Sequence, residues 1–318
     1  MNENKIPVVA VVGPTASGKT RLAIDICKKL HGEVISCDSM QLYKQLSIGT
    51  AKATPQEQAE VKHHLIDLIE PHEEFSVAEY ANLTHRKIKN LNSQGILPVL
   101  AGGTGLYLRT VLQNIEFTEQ QKDQVYCEEL VELANQRGNE YVHKMLEDID
   151  PVAAANIHFN NLVRVVRALE VYHTTGVTMS EQQRRSVLND TPYDSITIGI
   201  TYRNRNTLYD RINKRVDIMV EQGLLEEARM ALSMPLSKTA SNAIGYKELK
   251  PYFDGVQTLE QSLNNLKQSS RNYAKRQLTW FKKEEGLQWF YVDDYDSYDI
   301  LLDSVINTIT KHFKMDTN

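Results

Sequence analysis

The first third of the chain alternates between short apolar runs and amphipathic stretches. "KIPVVAVVG" (5–13) is almost continuously apolar and ends at a glycine, which indicates a buried strand, whereas "KTRLAIDICKKL" (19–30) repeats apolar residues at helical spacing. "GEVISCD" (32–38) and "ILPVLAGG" (96–103) predict two more buried strands, and "HHLIDLIE" (63–70) predicts a third strand or an extended segment. Such alternation favours a parallel sheet with helices on both faces.

Two further helices are predicted in this region, and one carries a clear start signal. "SVAEYANLTHRKIKNLNSQG" (76–95) begins with Ser76 followed three residues later by Glu79, which is the pattern of a capping box, and it ends at Gly95. "TGLYLRTVL" (104–112) begins the next helix.

The alternation stops at about residue 118 and resumes at residue 192. Residues 118–191 contain no good strand pattern, only helical periodicity. "SITIGITY" (195–202) then predicts another strand of the same sheet, and long helices and one late strand follow it. The sequence therefore predicts a core formed by residues 1–117 and 192–318, interrupted by a helical insertion domain at 118–191.

Composition and charge narrow the class of protein. The 41% hydrophobic and 24% charged residues are typical of a soluble globular chain, and no apolar stretch is long enough to span a membrane, so we expect a cytoplasmic protein. Cys27, Cys37 and Cys127 form no CxxC pair, which argues against disulfides and structural zinc. The net charge of −5 excludes nucleic-acid binding through overall charge, so any RNA contact must use a local basic patch.

The stretch "GPTASGKT" (13–20) matches the phosphate-binding pattern G-x-x-x-x-G-K-[ST] between a predicted strand and a predicted helix. Backbone N–H groups of residues 15–20 can surround a phosphate at the helix N-terminus. Lys19 can bring positive charge to the phosphate oxygens, and the Thr20 hydroxyl can bind Mg²⁺. The pattern as a whole predicts an α/β fold, with a P-loop NTPase-like parallel sheet core flanked by helices and an all-helical insertion domain.

Asp38 and Thr104 each follow a predicted buried strand. The carboxyl ends of parallel strands line the ligand crevice, so both side chains are expected near the phosphate loop. Asp38 can hold a metal, act as a base, or only cap the next turn, and Thr104 can orient a ligand, cap a helix, or do both. The strand before Thr104 ends in Gly102 and Gly103, where a phosphate-loop ATPase usually has an aspartate for Mg²⁺.

Two pairs of arginines lie at helical spacing. Arg211 and Arg215 are four residues apart on one predicted helix face, so they can clamp a diphosphate or pair with aspartates of the same helix. Arg164 and Arg167 lie among apolar residues, where they can reach a phosphate chain or a carboxylate partner.

The segment "RNYAKRQLTWFKK" (271–283) interleaves basic and aromatic residues. Its lysines and arginines can bind phosphates, and Tyr273 or Trp280 can stack on bases. An amphipathic helix with Leu278, Trp280 and Phe281 in the core and a solvated basic face is an equally good interpretation of the composition.

Eight motifs in fixed order carry a resemblance to a known family. "GPTASGKT", "DSMQLY", "IGTAK", "HHLID", "AGGTGLY", "RALEVY", "AIGYKEL" and "KRQLTWF" occur between residues 8 and 281. In this respect the chain resembles the tRNA dimethylallyltransferases. The resemblance implies transfer of a dimethylallyl group from dimethylallyl diphosphate to N6 of the adenosine on the 3′ side of the tRNA anticodon, with release of diphosphate.

The resemblance also implies roles for the matching residues. Lys19 and Arg215 would stabilise the departing diphosphate, with Mg²⁺ held by Thr20. Asp38 would accept a proton from the adenine N6 amine, and Thr104 would orient the reactants. The diphosphate would bind Gly13, Pro14, Thr15, Ala16, Ser17, Gly18, Lys19 and Thr20.

The resemblance further places the anticodon stem-loop of tRNA against both predicted domains. The target base would unstack and enter the reaction channel, and the loop would be recognised by shape through a local patch. The implied tRNA-contacting residues are Asp38, Ser39, Met40, Gln41, Thr104, Val163, Arg164, Val165, Val166, Arg167, Asn242, Gly245, Tyr246, Lys247, Lys275, Arg276, Gln277, Trp280 and Lys282. A monomer without a membrane partner is expected.

Two other functions are compatible with the phosphate loop alone. A small-molecule or nucleotide kinase would bind ATP and use the helical insertion as an arginine-bearing lid, but it leaves the basic and aromatic segment near the C-terminus unexplained. An RNA-binding ATP switch would need a residue that positions water near the loop, for which Gln41 is the candidate.

Overall fold

The structure, a computed structural model, describes residues 5–115, 123–186 and 190–315. The chain divides into a core unit, Met1–Leu112 with Pro192–Asn318, and a helical unit, Gln113–Thr191. The predicted domain boundary between residues 117 and 118 lies outside the described residues, and the observed division falls between 112 and 113.

The described residues of the core unit form one parallel sheet of six strands, as the sequence predicts. The strands are β1 (Ile6–Val12), β2 (Gly32–Ser36), β3 (His63–His64), β4 (Leu97–Gly102), β5 (Tyr193–Thr201) and β6 (Leu287–Tyr291). Their spatial order is β3-β2-β4-β1-β5-β6, so β1 lies between β4 and β5. The strand that precedes the phosphate loop is therefore inside the sheet.

Helices cover both faces of this sheet and make up the helical unit. They are α1 (Lys19–Leu30), α2 (Pro55–Glu60), α3 (Val77–Ser93), α4 (Gly105–Leu112), α5 (Gln124–Arg137), α6 (Asn139–Ile149), α7 (Pro151–Asn156), α8 (Leu162–Thr175), α9 (Met179–Ser186), α10 (Arg205–Glu221), α11 (Leu224–Ser233), α12 (Lys250–Phe253), α13 (Leu259–Phe281) and α14 (Tyr298–Phe313). None of the helices in the described part of the chain is long and apolar enough to cross a membrane.

The side chains of β1 alternate between two apolar cores. Val9 and Val11 belong to the core formed with α1 and α14, whereas Val8, Ala10 and Val12 belong to the core formed with α3 and α4. Successive side chains of a strand point to opposite faces, so a strand buried on both faces is apolar throughout. This explains the continuous apolar run at the start of the chain and confirms the predicted fold class.

The capping box predicted for α3 is present. The Glu79 backbone N–H donates to the Ser76 hydroxyl at 3.1 Å, and the Ser76 backbone N–H donates to the Glu79 carboxylate at 2.7 Å. The sequence reasoning missed the same arrangement at α2, where the Thr54 side chain and Glu57 form a capping box before a proline-led turn.

The third predicted strand is much shorter than "HHLIDLIE". Only His63–His64 pair with β2. Leu65 and Asp67 have φ angles of 58° and 53°, in the left-handed region, which is incompatible with an extended strand. Tertiary contacts override the β propensity of this segment.

The described residues of the helical unit, 123–186, contain helices and no strand, which confirms that part of the sequence analysis. Leu130, Val142, Leu146, Val165 and Leu169 form its apolar core. The helical periodicity of this region comes from α5, α6 and α8, whereas α7 and α9 have too few turns to show it.

Candidate active site

The phosphate loop, residues 13–20, connects β1 to α1. Gly18 caps α1 with a φ of 98° and no side-chain hydrogen bond, so no side-chain cap occupies the first N–H groups of the helix. A Cβ on Gly13 would lie 2.3 Å from the carbonyl oxygen of Ile200, so the loop needs glycine to pass the end of β5. The helix N-terminus is thereby free to bind an anion.

The segments that follow β2 and β4 lie side by side because the two strands are neighbours in the sheet. Thr104 accepts a hydrogen bond from the Ser39 backbone N–H at 3.1 Å, and Asp38 accepts one from the turn that follows it at 3.0 Å. A Cβ on Gly102 would lie 2.0 Å from the carbonyl oxygen of Cys37. The glycine at the end of β4 therefore allows the close approach that places Thr104 beside the Asp38 segment.

Gln277 of α13 joins the phosphate loop to the segment after β4. Its side-chain carbonyl accepts a hydrogen bond from the Thr15 backbone N–H at 2.9 Å, and its amide donates to the Gly103 carbonyl at 3.1 Å. Gln277 is 5% exposed, and a Cβ on Gly103 would lie 2.0 Å from its amide nitrogen. Gln277 is predicted to contact tRNA, and in the structure its side chain holds two loops of the site together.

A cavity of about 240 Å³ lies beside these loops within the core unit. Lys19, Thr20, Asp38 and Arg215 line it, which brings together four of the predicted site residues. Thr104 does not line this cavity but is bonded to Ser39, which does. Apolar side chains complete the wall, namely Met40, Ile212, Val216, Met219, Ile244 and Leu266. A cavity of this kind suits a ligand with a charged end and a hydrocarbon end.

The charged groups of the cavity alter one another's titration. Burial and the neighbouring Arg215 guanidinium lower the pKa of Lys19 to about 8, against the opposite influence of Asp38. Burial raises the pKa of Asp38, although a backbone hydrogen bond and the two cations act in the other direction. Burial also lowers the pKa of Arg215. Perturbed groups in a cleft are typical of sites that bind charged substrates and move protons.

Arg211 and Arg215 of α10 both lie at the phosphate loop. Arg215 lines the cavity, and the Arg211 guanidinium donates to the Ala16 carbonyl at 3.1 Å. Asp217 pairs with Lys267 at 2.6 Å rather than with either arginine. Of the two interpretations of this pair, the structure favours the one in which the arginines face the ligand crevice.

A larger cavity of about 800 Å³ adjoins the first one, with Lys19, Thr20, Ala51, Arg215 and Met219 in both walls. Further cations line this second cavity, namely Arg21, Lys52, Arg211 and Lys214. Glu57 and Asp67 line it as well, and Asp67 pairs with Lys52, so cations outnumber carboxylates in this wall without being alone there.

Several residues expected to contact tRNA lie at the smaller cavity. The side chain of Gln41 accepts a hydrogen bond from Ser36 at 2.8 Å and donates one to Ala51 at 3.1 Å. The oxygen and the nitrogen of the Gln41 amide therefore both bond to other residues of the protein. The ATP-switch hypothesis thereby loses its candidate for positioning water. The predicted tRNA contacts in the cavity wall are Asp38, Ser39, Met40, Gln41, Asn242, Gly245, Lys247, Arg276 and Gln277.

Tyr246 of the segment "NAIGYK" (242–247) faces inward. It is 1% exposed and its hydroxyl donates to Glu227 at 2.9 Å. The structure therefore assigns the Tyr246 side chain to packing behind the cavity, although it was predicted to contact tRNA.

The segment "KRQLTWFKK" (275–283) has features of both interpretations: it packs side chains in the core, and it also presents basic residues beside an aromatic ring. Phe281 is 1% exposed and belongs to the core, while Trp280 is half-buried beneath the Arg109 guanidinium, 4.9 Å from the ring centre. The other face of α13 forms a basic groove, lined by Arg109, Asn272, Lys275, Arg276, Thr279, Trp280 and Lys283. Lys282 is exposed just after the helix ends.

The five residues 163–167 of the helical unit differ in how far their side chains are exposed to solvent. Val163 is 73% exposed and Arg164 is exposed, whereas Val165 and Val166 are packed in the core of the unit. Arg167 forms an ion pair with the fully buried Glu170. Of the two predicted partners of this arginine, a phosphate chain or a carboxylate, the structure shows the carboxylate.

Sequence reasoning missed two contributors to the site. Tyr273 lines the cavity from α13, and Glu227 of α11 holds residues 47–49 through backbone hydrogen bonds. Tyr273 lies within the basic and aromatic segment but was considered only as a stacking platform. Glu227 belongs to no motif in the sequence, so no local signal could have identified it.

Comparison with known proteins gives consistent matches. The family model described as IPP transferase matches residues 41–284. The tRNA dimethylallyltransferase of Bacillus subtilis (strain 168) is 49% identical over 294 residues, which cover 91% of this chain and 92% of that protein.

Solved structures of similar proteins agree with these matches. The full-length tRNA isopentenylpyrophosphate transferase from Bacillus halodurans is 43% identical, with a TM-score of 0.73 and coverage of 98% of this chain and 97% of that one. A eukaryotic dimethylallyltransferase acting on tRNA is 27% identical, with a TM-score of 0.83 and coverage of 97% and 79%.

Proposed function

This chain belongs to the IPP transferase family, and we propose that it is an enzyme that modifies tRNA by dimethylallyl transfer. The group would pass from dimethylallyl diphosphate to N6 of the adenosine on the 3′ side of the anticodon, and diphosphate would be released. The observation that carries the proposal is the single cavity that holds Lys19, Thr20, Asp38 and Arg215 next to an apolar wall.

The phosphate loop and two cations suit the diphosphate end of the donor. As the carbon–oxygen bond breaks, negative charge grows on the departing diphosphate, and preorganised cations and N–H groups stabilise it. Lys19 and Arg215 both line the cavity, and Arg211 lies just outside it at Ala16. The apolar residues of the same cavity suit the dimethylallyl group.

Asp38 suits the role of proton acceptor from the adenine amine. An exocyclic adenine amine is a weak nucleophile, so a nearby base assists its attack on the allylic carbon. The raised pKa of Asp38 makes its carboxylate a better base than an exposed aspartate. Thr104, bonded to the Ser39 backbone, would orient the reactants.

Mg²⁺ fits the donor set at the phosphate loop. Mg²⁺ is usually bound by one or two protein oxygens together with substrate phosphates and water. Within the described residues no cluster of three His, Cys, Asp or Glu side chains could hold a metal by itself, whereas the Thr20 hydroxyl lies in both cavity walls. When bound there, Mg²⁺ would neutralise charge on the diphosphate.

The basic groove of α13 suits the tRNA backbone. Lys275 and Arg276 line this groove, and Arg276 also reaches the cavity wall. Lysines and arginines supply much of the affinity for nucleic-acid phosphates even when the protein is acidic overall. Val163 and Arg164 would add a contact from the helical unit. We also propose a monomer that acts in the cytoplasm.

Incubation of the protein with tRNA, Mg²⁺ and dimethylallyl diphosphate tests the proposal. After nuclease digestion, mass spectrometry should show one adenosine that has gained a dimethylallyl group, with release of an equal amount of diphosphate. The Asp38→Ala variant should form product at least about a hundredfold more slowly while still binding tRNA. Phosphate transfer from ATP to a small molecule, with no modified adenosine, would reject the proposal in favour of a kinase.

A further inference from the structure

Residues 47–52, which we call the cavity loop, form part of the wall of both cavities beside the phosphate loop. The smaller cavity is lined by Gly49, Thr50 and Ala51, and the larger one by Ser47, Ile48, Ala51 and Lys52. The position of this loop therefore sets the shape of the space next to Lys19 and Arg215.

Glu227 of α11 holds the cavity loop through its backbone. One carboxylate oxygen accepts hydrogen bonds from the N–H groups of Ser47 and Ile48, both at 2.9 Å. The other oxygen accepts one from the Gly49 N–H at 2.8 Å and one from the Tyr246 hydroxyl at 2.9 Å. A single carboxylate thus satisfies three successive backbone donors and one side-chain donor, and hydrogen bonds to an ionised acceptor are about twice as strong as neutral ones.

Tyr246 packs behind the loop. Its ring lies so close to Gly49 that a Cβ there would be 2.8 Å from a ring carbon. Tyr246 is buried, and its hydroxyl is tied to the same carboxylate. The loop is therefore fixed from the side facing away from the cavity, which leaves its inner face free for a ligand.

We propose that Glu227 is a positioning residue for dimethylallyl transfer: it holds the cavity loop as the wall against which the prenyl donor binds. This inference rests on the proposed function. The donor is favoured over tRNA as the affected substrate because the loop shares both cavity walls with Lys19 and Arg215.

The Glu227→Gln variant tests the contact directly. An amide has one acceptor oxygen, and its NH₂ group is a donor. Whichever way the amide turns, its NH₂ group would face at least one backbone N–H of the loop. The backbone bonds lost would be either those of Ser47 and Ile48 or that of Gly49, since the Tyr246 hydroxyl can turn and accept a bond from the amide. Glutamine therefore cannot fully replace glutamate here.

The experiment compares steady-state transfer by the wild type and by Glu227→Gln, Tyr246→Phe and Glu226→Gln. Glu226 is an exposed neighbour in the same first turn of α11, so its variant removes the same charge without touching the loop. Glu227→Gln should raise the KM for dimethylallyl diphosphate by roughly tenfold or more, because small misplacements in a site have large kinetic effects. Tyr246→Phe should raise the KM for dimethylallyl diphosphate less, and Glu226→Gln should leave it at the wild-type value. The KM for tRNA should stay within about twofold in all three variants, since the loop adjoins the donor side.

An unchanged donor KM in Glu227→Gln, or an equal rise in the KM for donor and for tRNA, would overturn the inference. If Glu227→Gln does not fold, an unchanged donor KM in Tyr246→Phe overturns it instead. Calorimetric titration with inorganic diphosphate and Mg²⁺ separates this inference from the proposed function. If the wild-type protein transfers nothing, the proposed function is rejected. The titration still tests the loop: weaker diphosphate binding by the variants supports its role, and equal binding rejects it.

Discussion

The core unit and the helical unit each withdraw an aspartate from water, with opposite consequences. Burial opposes ionisation of Asp150, but hydrogen bonds from Ser180 and Ala153 outweigh that effect and lower its pKa. Burial of Asp38 prevails over hydrogen bonds from the backbone of Met40 and Gln41 and over its two neighbouring cations, so its pKa is raised. A carboxylate whose hydrogen bonds outweigh its burial stays ionised and holds structure together, whereas one whose burial prevails beside a cavity can take up a proton more readily.

The core unit contains polar contacts of much longer sequence range than those of the helical unit, which include short-range pairs and bonds such as Asp150–Ser180. In the helical unit, Glu181 pairs with Arg184 and Arg185 within one turn of α9. In the core unit, Gln277 bonds Thr15, which is 262 residues away. Local pairs of the first kind contribute little to stability. Long-range bonds of the second kind position the proposed site, so the core unit is where substitutions should affect the chemistry.

Asp38→Ala is expected to have the largest effect on transfer. Loss of the base should lower the rate by about 10²–10⁴-fold, the range for general base catalysis. The binding of tRNA, measured by a filter or fluorescence assay, should stay nearly intact because the basic groove of α13 is untouched. A variant that keeps most of its rate would show that Asp38 is not the base and would remove the contrast with Asp150.

Gln277→Met should have the next largest effect. Methionine is close in size but cannot bond the Thr15 N–H or the Gly103 carbonyl, so the two loops would lose their fixed spacing. We expect kcat/KM for the donor to fall by about 10–100-fold, as for other residues that orient a site. Gln268→Met is the matched control, because Gln268 is an exposed amide of the same helix whose bonds, to Asn272 and Arg271, stay within that helix. Equal activity in the two variants would contradict the role of Gln277.

The pH dependence of donor binding should show the lowered pKa of Lys19. Under the proposed function the Lys19 ammonium binds diphosphate, so affinity should be highest below pH 8 and fall as the pH rises through about 8 and Lys19 loses its proton. On the acid side, kcat should fall as the pH drops through the raised pKa of Asp38 and the base becomes protonated. In Lys19→Arg the alkaline decline should disappear, because a guanidinium stays charged. An alkaline decline that survives in Lys19→Arg would assign it to another group.

Asp150→Ala should change stability with little change in transfer per folded molecule. The carboxylate caps α7 and bonds the backbone of Ser180, so its loss should lower the free energy of unfolding of the helical unit by about 1–2 kcal/mol. Because the folded pKa is lowered, this stabilisation is present above the unfolded pKa of about 3.9 and is lost as the pH falls through the folded value. Thermal unfolding at neutral and at acid pH should show a difference between variant and wild type only at neutral pH.

Much of the fold could be predicted because its signals are local. The bounds of α1 and the capping box of α3 follow from periodicity and from Ser76 and Glu79. The shortened β3 could not be predicted, because left-handed backbone at Leu65 and Asp67 depends on contacts with distant residues. The same holds for Tyr246 and Val165, where the sequence shows a motif but not which side chains face inward.

The sequence by itself determined the order of strands and helices, the phosphate loop, and the residues that approach it from the ends of β2 and β4. Its motifs also indicated the family to which the chain belongs. Only the tertiary structure decided that Gln277 bonds two loops, that Arg167 is paired with Glu170, and that Glu227 holds the cavity loop. The physical reason is range: periodicity and capping act over a few residues, whereas burial and the pairing of polar groups depend on which distant segments the sheet brings together.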